Sequence, residues 1–156
     1  MRKFTIPIAA LFLFGFFGLF AFHSEAQKAE QDAVRVPLEN YIKGHETGNR
    51  EFMRKAFHTE GKLVFMRDGK FATRTFDEYI GGMSGKPAAD EKERKRRIES
   101  VDIAGNAASA KIILDYPTTR FTDYMSLLKI GGEWKIVNKT FYAEPKPAQE
   151  TEKKSE

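Results

Sequence analysis

The C-terminal third of the chain, residues 108–142, constrains the fold more than any other segment. Three runs of alternating apolar and polar side chains follow one another there, at residues 108–116, 120–130 and 133–142. Gly131 and Gly132 separate the last two runs. Alternation with a period of two is typical of strands with one buried face, and short glycine-containing connections are typical of hairpins. The segment therefore predicts three consecutive strands of an antiparallel sheet.

The preceding part of the chain predicts short helices and further strands. The predicted helices begin near residue 34, at residue 50 and at residue 76, and the predicted strands cover residues 62–67, 71–74 and 94–103. Asp68 and Gly69 predict a two-residue hairpin turn, since both central positions of such a turn need positive φ. Thr75 and Glu78 have the spacing of a capping box, which begins a helix. The resulting element order, α-α-β-β-α-β-β-β-β, places the domain in the α+β class.

Two local features are expected within these elements. Pro37 should lie in or near the first turn of the first helix, where its missing N–H costs little. Ile98 and Val101 break the period of two in the strand at residues 94–103, which predicts a β-bulge near residues 99–100. Residues 84–92 are rich in glycine, proline and charge and predict a loop.

The two ends of the chain differ from this domain. Residues 1–26 predict a secretory signal peptide, because Arg2 and Lys3 precede an apolar run and small residues precede the junction with Gln27. The alternative is a retained membrane anchor, the only setting in which we expect a membrane partner. Residues 27–143 form the predicted domain, and the proline- and charge-rich residues 144–156 predict a disordered tail. An export signal and the absence of cysteine favour a periplasmic or extracellular protein that is stabilised by packing alone.

The order of elements and two sequence patterns carry a family resemblance. The first pattern consists of Leu38, Tyr41 and Gly44, then Gly48 and Asn49, then Ala56, Phe57 and His58. The second comprises residues 121–124 and 127–129, followed by residues 134–139. Over residues 30–143 the chain resembles nuclear transport factor 2-like domains, which include SnoaL-like cyclases and ketosteroid isomerases. It is most similar to the branch labelled "putative lumazine-binding".

This resemblance implies a cystatin-like α+β roll, in which a curved antiparallel sheet forms a cone around three helices. It also implies a pocket at the open end of the cone and a homodimer formed through the outer sheet face. The fold hosts several activities, so the activity must be argued from the site. We expect a binding domain for a small apolar or aromatic ligand, without a cofactor. One alternative is an isomerase, cyclase or dehydratase that uses a pocket carboxylate as general base, and another is a dimeric interaction module without a ligand.

The candidate site residues lie on the predicted helices and strands, where either face of a strand could line the pocket. Asp123 and His58 are the candidates for proton transfer, and the expected ligand-binding residues are Tyr41, His58, Phe65, Tyr79, Asp123 and Asn138. An aspartate on a strand is more often exposed to water, and a histidine after a helix can simply cap it. His45 lies on the apolar face of the first helix and is expected to be a core or rim histidine. Asn138 and Lys139 are expected to be polar neighbours on opposite faces of the last strand.

Other function classes find little support in the sequence. The formal charge is +4, and removal of residues 1–26 lowers it to +3. The basic run at residues 92–97 has no interleaved aromatic residues. We therefore expect it to be a solvated segment at the start of the strand rather than a nucleic-acid site. A role in steering an anionic ligand toward the pocket mouth stays open. His45 and His58 are the two histidines beyond residue 26, too few for a histidine-based metal site, and none is expected.

Overall fold

The computed structural model describes residues 9–147, with side-chain surroundings from residue 25 onward. The chain divides into two compact units, Met1–Ala33 and Val34–Glu156. The described part of the first unit is helical and belongs to α1 (Ala9–Thr47). Within the part of the chain that is described, no helix has the length and apolar character needed to cross a membrane. The first eight residues of the predicted signal peptide lie outside the described residues.

The second unit contains the end of α1, two short helices and six strands. After α1 come α2 (Arg50–Ala56), β1 (Phe57–Arg67), β2 (Lys70–Thr75), α3 (Phe76–Gly81), a 3-10 helix (Glu91–Glu93), β3 (Lys95–Ala104), β4 (Ala107–Asp115), β5 (Thr119–Ile130) and β6 (Glu133–Pro145). This is the predicted order of helices and strands. The added 3-10 helix falls at the end of the segment predicted as a loop.

The six strands form one curved, unclosed sheet in the order β2-β1-β6-β5-β4-β3. Every neighbouring pair is antiparallel except β1 and β6, which pair in parallel. The predicted α+β fold with a curved antiparallel sheet is confirmed, and this one parallel junction is a detail that the prediction did not include. Hairpin connections enforce antiparallel pairing, whereas β1 and β6 are separated by most of the domain.

Several local predictions are confirmed. Asp68 and Gly69 have φ of 51° and 74°, as the two-residue turn between β1 and β2 requires. Thr75 and Glu78 form both hydrogen bonds of the capping box at the start of α3. The register of β3 against β4 shifts between Ile98 and Ser100, which is the predicted bulge. These features depend on neighbours in sequence, so the sequence specifies them strongly.

The prediction for Pro37 is wrong, because Pro37 lies inside α1 and not in its first turn. The ring of Pro37 removes the N–H that would donate to the carbonyl of Ala33, four residues earlier. In the chain, the boundary between the two compact units falls between Ala33 and Val34. The helix is continuous through the predicted cleavage junction after Ala26.

Two strands extend beyond their predicted ends. β1 begins at Phe57, five residues before the predicted start, so His58 lies in a strand and not in a helix–strand junction. β6 continues to Pro145, two residues beyond the predicted end of the domain at residue 143. The backbone N–H of Lys146 then donates to the carbonyl of Thr118 at 2.9 Å. Residues 148–156 of the predicted tail lie outside the described residues.

The core lies between the helices of the second unit and one face of the sheet. Its fully or almost fully buried side chains are Val34, Leu38, Met53, Phe76, Ile80, Leu63, Ile112, Leu114, Met125, Leu127 and Ile136. Each contributes about 1.5–3 kcal/mol through removal of its apolar surface from water. The rings of Phe57 and Phe76 stack with centroids 3.8 Å apart, which joins β1 to α3.

Candidate functional site

An irregularity in β6 determines which polar side chains enter the core. Trp134 and Ile136 are buried on the inner face, and strict alternation would place Asn138 beside them. The register against β5 instead shifts, with Ser126 opposite Asn138 and Leu127 opposite Ile136, so Val137 is the extra residue of a bulge. Lys139 therefore becomes a buried residue of the inner face.

Lys139 is part of a buried polar cluster with Asp123 and Tyr41. The Lys139 Nζ atom lies 2.9 Å from Asp123 Oδ2 and donates to the Tyr41 hydroxyl at 2.5 Å. The Tyr41 hydroxyl in turn donates to Asp123 Oδ2 at 2.5 Å. Asp123 and Tyr41 are completely inaccessible to water, and Asp123 Oδ1 has no hydrogen-bond partner among the described residues. A buried ammonium and a buried carboxylate thus compensate each other at close range.

The surroundings of this cluster shift two ionisation equilibria. Burial alone would lower the pKa of Lys139, but attraction to Tyr79 and Asp123 and the hydrogen bond to Asp123 raise it above its ordinary value. Burial and the Asp123 carboxylate raise the pKa of Tyr41 well above its ordinary value. Lys139 is therefore a fixed cation at neutral pH, and Tyr41 is a neutral hydroxyl.

Lys139 lines a pocket of about 200 Å³ that is walled mainly by aromatic side chains. The lining residues are His45, Leu63, Phe65, Arg67, Arg74, Tyr79, Leu114, Tyr116, Phe121, Lys139 and Phe141. Phe65 and Phe141 stack with ring centroids 5.1 Å apart, and Lys139 Nζ lies 5.0 Å from the centroid of Phe141. The lining contains several cations and no carboxylate. Its chemistry suits a flat, electron-rich ligand with a hydrogen-bond acceptor.

His45 lies at one side of this pocket between two tyrosines. Its Nε2 atom is 2.8 Å from the Tyr79 hydroxyl, and its Nδ1 atom is 3.5 Å from the Tyr116 hydroxyl. Burial lowers the pKa of His45 well below its ordinary value, and the positive charges of Lys139, Arg96 and Arg94 lower it further. His45 is therefore a neutral imidazole at neutral pH, able to accept one proton.

A second cavity of about 260 Å³ adjoins the pocket and shares His45, Arg74 and Tyr79 with it. Its other lining residues are Gly48, Gly82, Met83, Ser84, Lys86, Ala88 and Arg94. We call this cavity the side groove. Arg94 belongs to the basic run at residues 92–97, and its guanidinium lies 4.2 Å from the Tyr116 ring centroid.

The remainder of the basic run is only partly solvated. Arg96 also lies on the Tyr116 ring, and its side chain is 5% exposed because Glu91 holds it through two hydrogen bonds. Lys92, Lys95 and Arg97 are exposed. The run therefore contributes two arginines to the wall around Tyr116, while its other cations face water.

A larger depression of about 450 Å³ lies at the edge formed by β3, β4 and the end of β6. Its charged residues include Asp115 and Lys146, which pair with each other at 2.5 Å. Tyr116 is the one aromatic residue in its lining, and its Asp115–Lys146 pair is about one third exposed, unlike the ion pair at Lys139. We therefore place the candidate site in the smaller pocket, where shape and chemistry coincide.

The predicted site residues fall into three groups. Phe65 and Tyr79 line the pocket. Tyr41 and Asp123 lie behind it and hold Lys139, so Asp123 supports the pocket without lining it. His58 and Asn138 line neither the pocket nor the side groove. His58 Nδ1 accepts a hydrogen bond from the backbone N–H of Glu60, a local contact within β1.

Sequence reasoning did not select Lys139, His45 or Tyr116 for the site. A signal for Lys139 exists, because the apolar residues of β6 change from even to odd positions between Ile136 and Phe141. The same kind of change predicts the bulge of β3. His45 and Tyr116 have no such signal, since their importance comes from contacts across α1, α3 and the end of β4.

Comparison with known proteins agrees with this architecture. Residues 29–142 match the family described as "Putative lumazine-binding". A solved NTF2-like protein of unknown function from Shewanella baltica is 30% identical, with a TM-score of 0.68 over 76% of this chain and 96% of that one. Another from Methylobacillus flagellatus is 29% identical, with a TM-score of 0.65 over 74% of this chain and 93% of that one. A curated relative, the aldolase FrzH of a Cladobotryum species, is 23% identical over 76% of this chain and 94% of that protein.

The domain is thus an NTF2-like α+β domain with a lined pocket. The chain belongs to the "Putative lumazine-binding" family, since the match covers most of its length. The family resemblance drawn from the sequence and the fold class are confirmed.

Proposed function

We propose that the second unit is a small-molecule-binding domain that takes a small planar ligand in the pocket beside Lys139. The buried ammonium of Lys139 is the observation that carries this proposal. An ammonium has three donors, and Tyr41 and Asp123 accept from two of them. The third can donate to a ligand carbonyl or enolate oxygen inside the pocket.

The aromatic walls and the size of the pocket define the ligand further. A cavity of about 200 Å³ is smaller than most drug-sized sites, so it suits one or two fused rings. Phe65, Tyr116 and Phe141 offer ring faces and edges to such a ligand. Lumazine, the compound in the family's name, is a flat two-ring heterocycle with two carbonyl groups, and it matches these requirements.

Calorimetric titration of the purified domain with lumazine tests the proposal. The informative variant combines Lys139→Met with Asp123→Leu, which removes both buried charges together. Asn138→Ala on the outer face of the same strand is the matched control. We expect saturable binding by the wild type and the control, and affinity weaker by about tenfold or more in the double variant, the loss of a charge-assisted hydrogen bond. No saturable binding of lumazine to the wild type would contradict the proposal.

A proton-transfer enzyme is the second candidate, and His45 is the observation that favours it. The pocket lining has no carboxylate, so the base would be the neutral His45 imidazole rather than Asp123. In such a reaction His45 would take a proton from the carbon next to a ligand carbonyl, and Lys139 would hold the resulting enolate oxygen. The aldolase relative supports chemistry at a carbonyl group.

Deuterium exchange separates the enzyme from the binder. The protein would be incubated with cyclohexanone in heavy water, and the loss of the α-proton NMR signal would be followed. The enzyme predicts exchange that His45→Gln abolishes, with Asn138→Ala as control. Exchange at the buffer rate with the wild type supports a binding role. An interaction module that lacks a ligand site is disfavoured, because the pocket is open rather than filled.

We also propose that residues 1–26 direct export and are removed. The basic, apolar and small-residue segments of this stretch support the proposal. Intact-mass measurement of protein purified from a bacterial periplasm should give a chain that begins at Gln27. A mass that includes residues 1–26 in a membrane fraction would support the retained anchor instead.

A further inference from the structure

The rim of the pocket carries two arginines that the proposed ligand contacts do not use. Arg67 and Arg74 lie on β1 and β2, on either side of the hairpin turn, and both line the pocket. Arg67 shares the inner side of β1 with Leu63 and Phe65, and Arg74 pairs with Leu63 in the sheet register. The hairpin therefore places two guanidinium groups at the same opening.

Neither arginine forms a close ion pair with a carboxylate among the described residues. The guanidinium of Arg67 lies 5.2 Å from the ring centroid of Phe65, which restricts its orientation. Arg74 makes no hydrogen bond or ion pair with any described side chain. The other arginines at the site are occupied, since Arg94 pairs with Asp90 and Arg96 pairs with Glu91.

The carboxylates close to Arg74 in sequence make contacts with other groups. Glu78 Oε2 accepts from the backbone N–H of Thr75 at 2.8 Å in the capping box of α3. This hydrogen bond is the main cause that lowers the pKa of Glu78, and the charge of Arg74 adds a smaller contribution. The Asp77 carboxylate is directed toward Arg54, at 3.8 Å. Two unpaired guanidinium groups at the mouth of an apolar pocket favour an anion, because a guanidinium forms paired hydrogen bonds with carboxylates and phosphates.

Arg74 lines both the pocket and the side groove. A group that Arg74 binds therefore lies where the two cavities meet, outside the aromatic part of the pocket. Lys86 adds a further cation to the lining of the side groove. The arrangement fits a ligand of two parts, with a ring inside the pocket and a charged chain leaving it.

We propose that Arg67 and Arg74 form an anion subsite, and that the natural ligand is a planar ring compound bearing a carboxylate or phosphate group on a short chain. This inference rests on the proposed function and specifies its ligand class. The ring binds beside Lys139, and the anionic group binds at the rim. The anion raises affinity and also orients the ring, since only one edge of the ring can face Lys139.

The test compares three probes in calorimetric titrations: lumazine, lumazine with a carboxyalkyl chain, and lumazine with a phosphorylated alkyl chain. We expect at least one anionic probe to bind about tenfold or more tightly than lumazine, a gain that falls with added salt. Arg74→Gln and Arg67→Gln should each reduce this gain by several-fold, when the gain is taken as the ratio of the anionic-probe affinity to the lumazine affinity of the same variant. Arg97→Gln is the matched control, because Arg97 is exposed on β3, pairs with Glu99 and lines neither cavity.

The outcomes separate this inference from the proposed function. Equal affinity for all three probes, or a gain that survives both arginine substitutions, overturns the anion subsite while leaving the ring site in place. Failure of all three probes to bind overturns both. Preference for the carboxylate or for the phosphate probe supports the subsite in either case and identifies the anion.

Discussion

Removing the charge of Lys139 should destabilise the domain strongly, because its partner would remain buried. The Lys139 side chain is 5% exposed and that of Asp123 is 0% exposed, with 2.9 Å between their charged atoms. Lys139→Met leaves the Asp123 carboxylate without a cation and with an Oδ1 atom that already lacks a partner in the described part of the chain. Loss of one member of a buried ion pair costs about 3–5 kcal/mol. Asp123→Leu should cost a similar amount, because it leaves the ammonium unpaired.

The double variant should be much closer to the wild type. Met and Leu fill similar space without charge, so the remaining cost is the Tyr41 hydroxyl, which loses both partners. A buried hydroxyl without a partner costs about 1–3 kcal/mol. The two single changes therefore should not add, and the coupling energy of the cycle should be at least about 3 kcal/mol.

Urea denaturation of the wild type, both single variants and the double variant measures this coupling. Thr140→Val, at the exposed neighbour of Lys139 on the outer face, is the control and should change the free energy of unfolding by less than about 0.5 kcal/mol. Additive single effects, or a Lys139→Met cost below about 1 kcal/mol, would refute the reasoning. Either result would mean that water or another group already compensates Asp123.

Three further predictions concern other parts of the domain. The pKa of His45 is lowered well below its ordinary value chiefly by burial, so the unfolded chain takes up a proton near pH 6.5 that the folded chain does not. Stability should therefore fall by about 1 kcal/mol between pH 6.5 and 5.5 in urea titrations, and His45→Gln should remove this loss. Gly61→Ala should lower the free energy of unfolding by about 1–3 kcal/mol or more, because the new Cβ would lie 1.9 Å from a ring atom of Phe76. Gly81→Ala is the control and should be nearly neutral, because no atom lies within 4 Å of its Cβ position. We expect the protein to form a dimer through the outer sheet face, where Tyr124 and Tyr142 are exposed. Light scattering should show that Tyr124→Glu has half the mass of the wild type. A monomeric wild type would contradict the predicted dimer.

The fold was predictable because its signals are local and repeated. The capping box at Thr75, the turn at Asp68 and the alternation along β5 each act within a few residues of sequence. Alternation also predicts that Asp123 and Tyr124 lie on opposite faces of the sheet. In the structure Asp123 is completely buried, whereas Tyr124 is 53% exposed. The parallel pairing of β1 with β6 has no such signal, because it joins segments from opposite ends of the domain.

The site was predictable only in part, and β6 shows why. A single extra residue, Val137, reverses the faces of every residue after it, so Lys139 moves inward and Asn138 outward. The apolar residues of β6 change from even to odd positions at this reversal. The apolar residues of β3 break the period of two at its bulge in the same way. Reading them in both strands would have selected Lys139. For His45 the sequence gives an inward-facing helix position, and only the fold brings Tyr79 and Tyr116 to its two nitrogens.

The energetic cost of the buried cluster itself favours a functional interpretation. Well-packed apolar residues can replace a buried ion pair at no loss of stability, and often with a gain. Folding alone therefore does not require Lys139 and Asp123, and neither residue occupies a turn or cap where its chemistry is needed. The bulge at Val137 moves the ammonium to the wall of the aromatic-lined pocket, with Asp123 and Tyr41 on its far side. The Lys139 ammonium therefore has one N–H donor that can reach a bound ligand. The fold itself does not need a charge at this position.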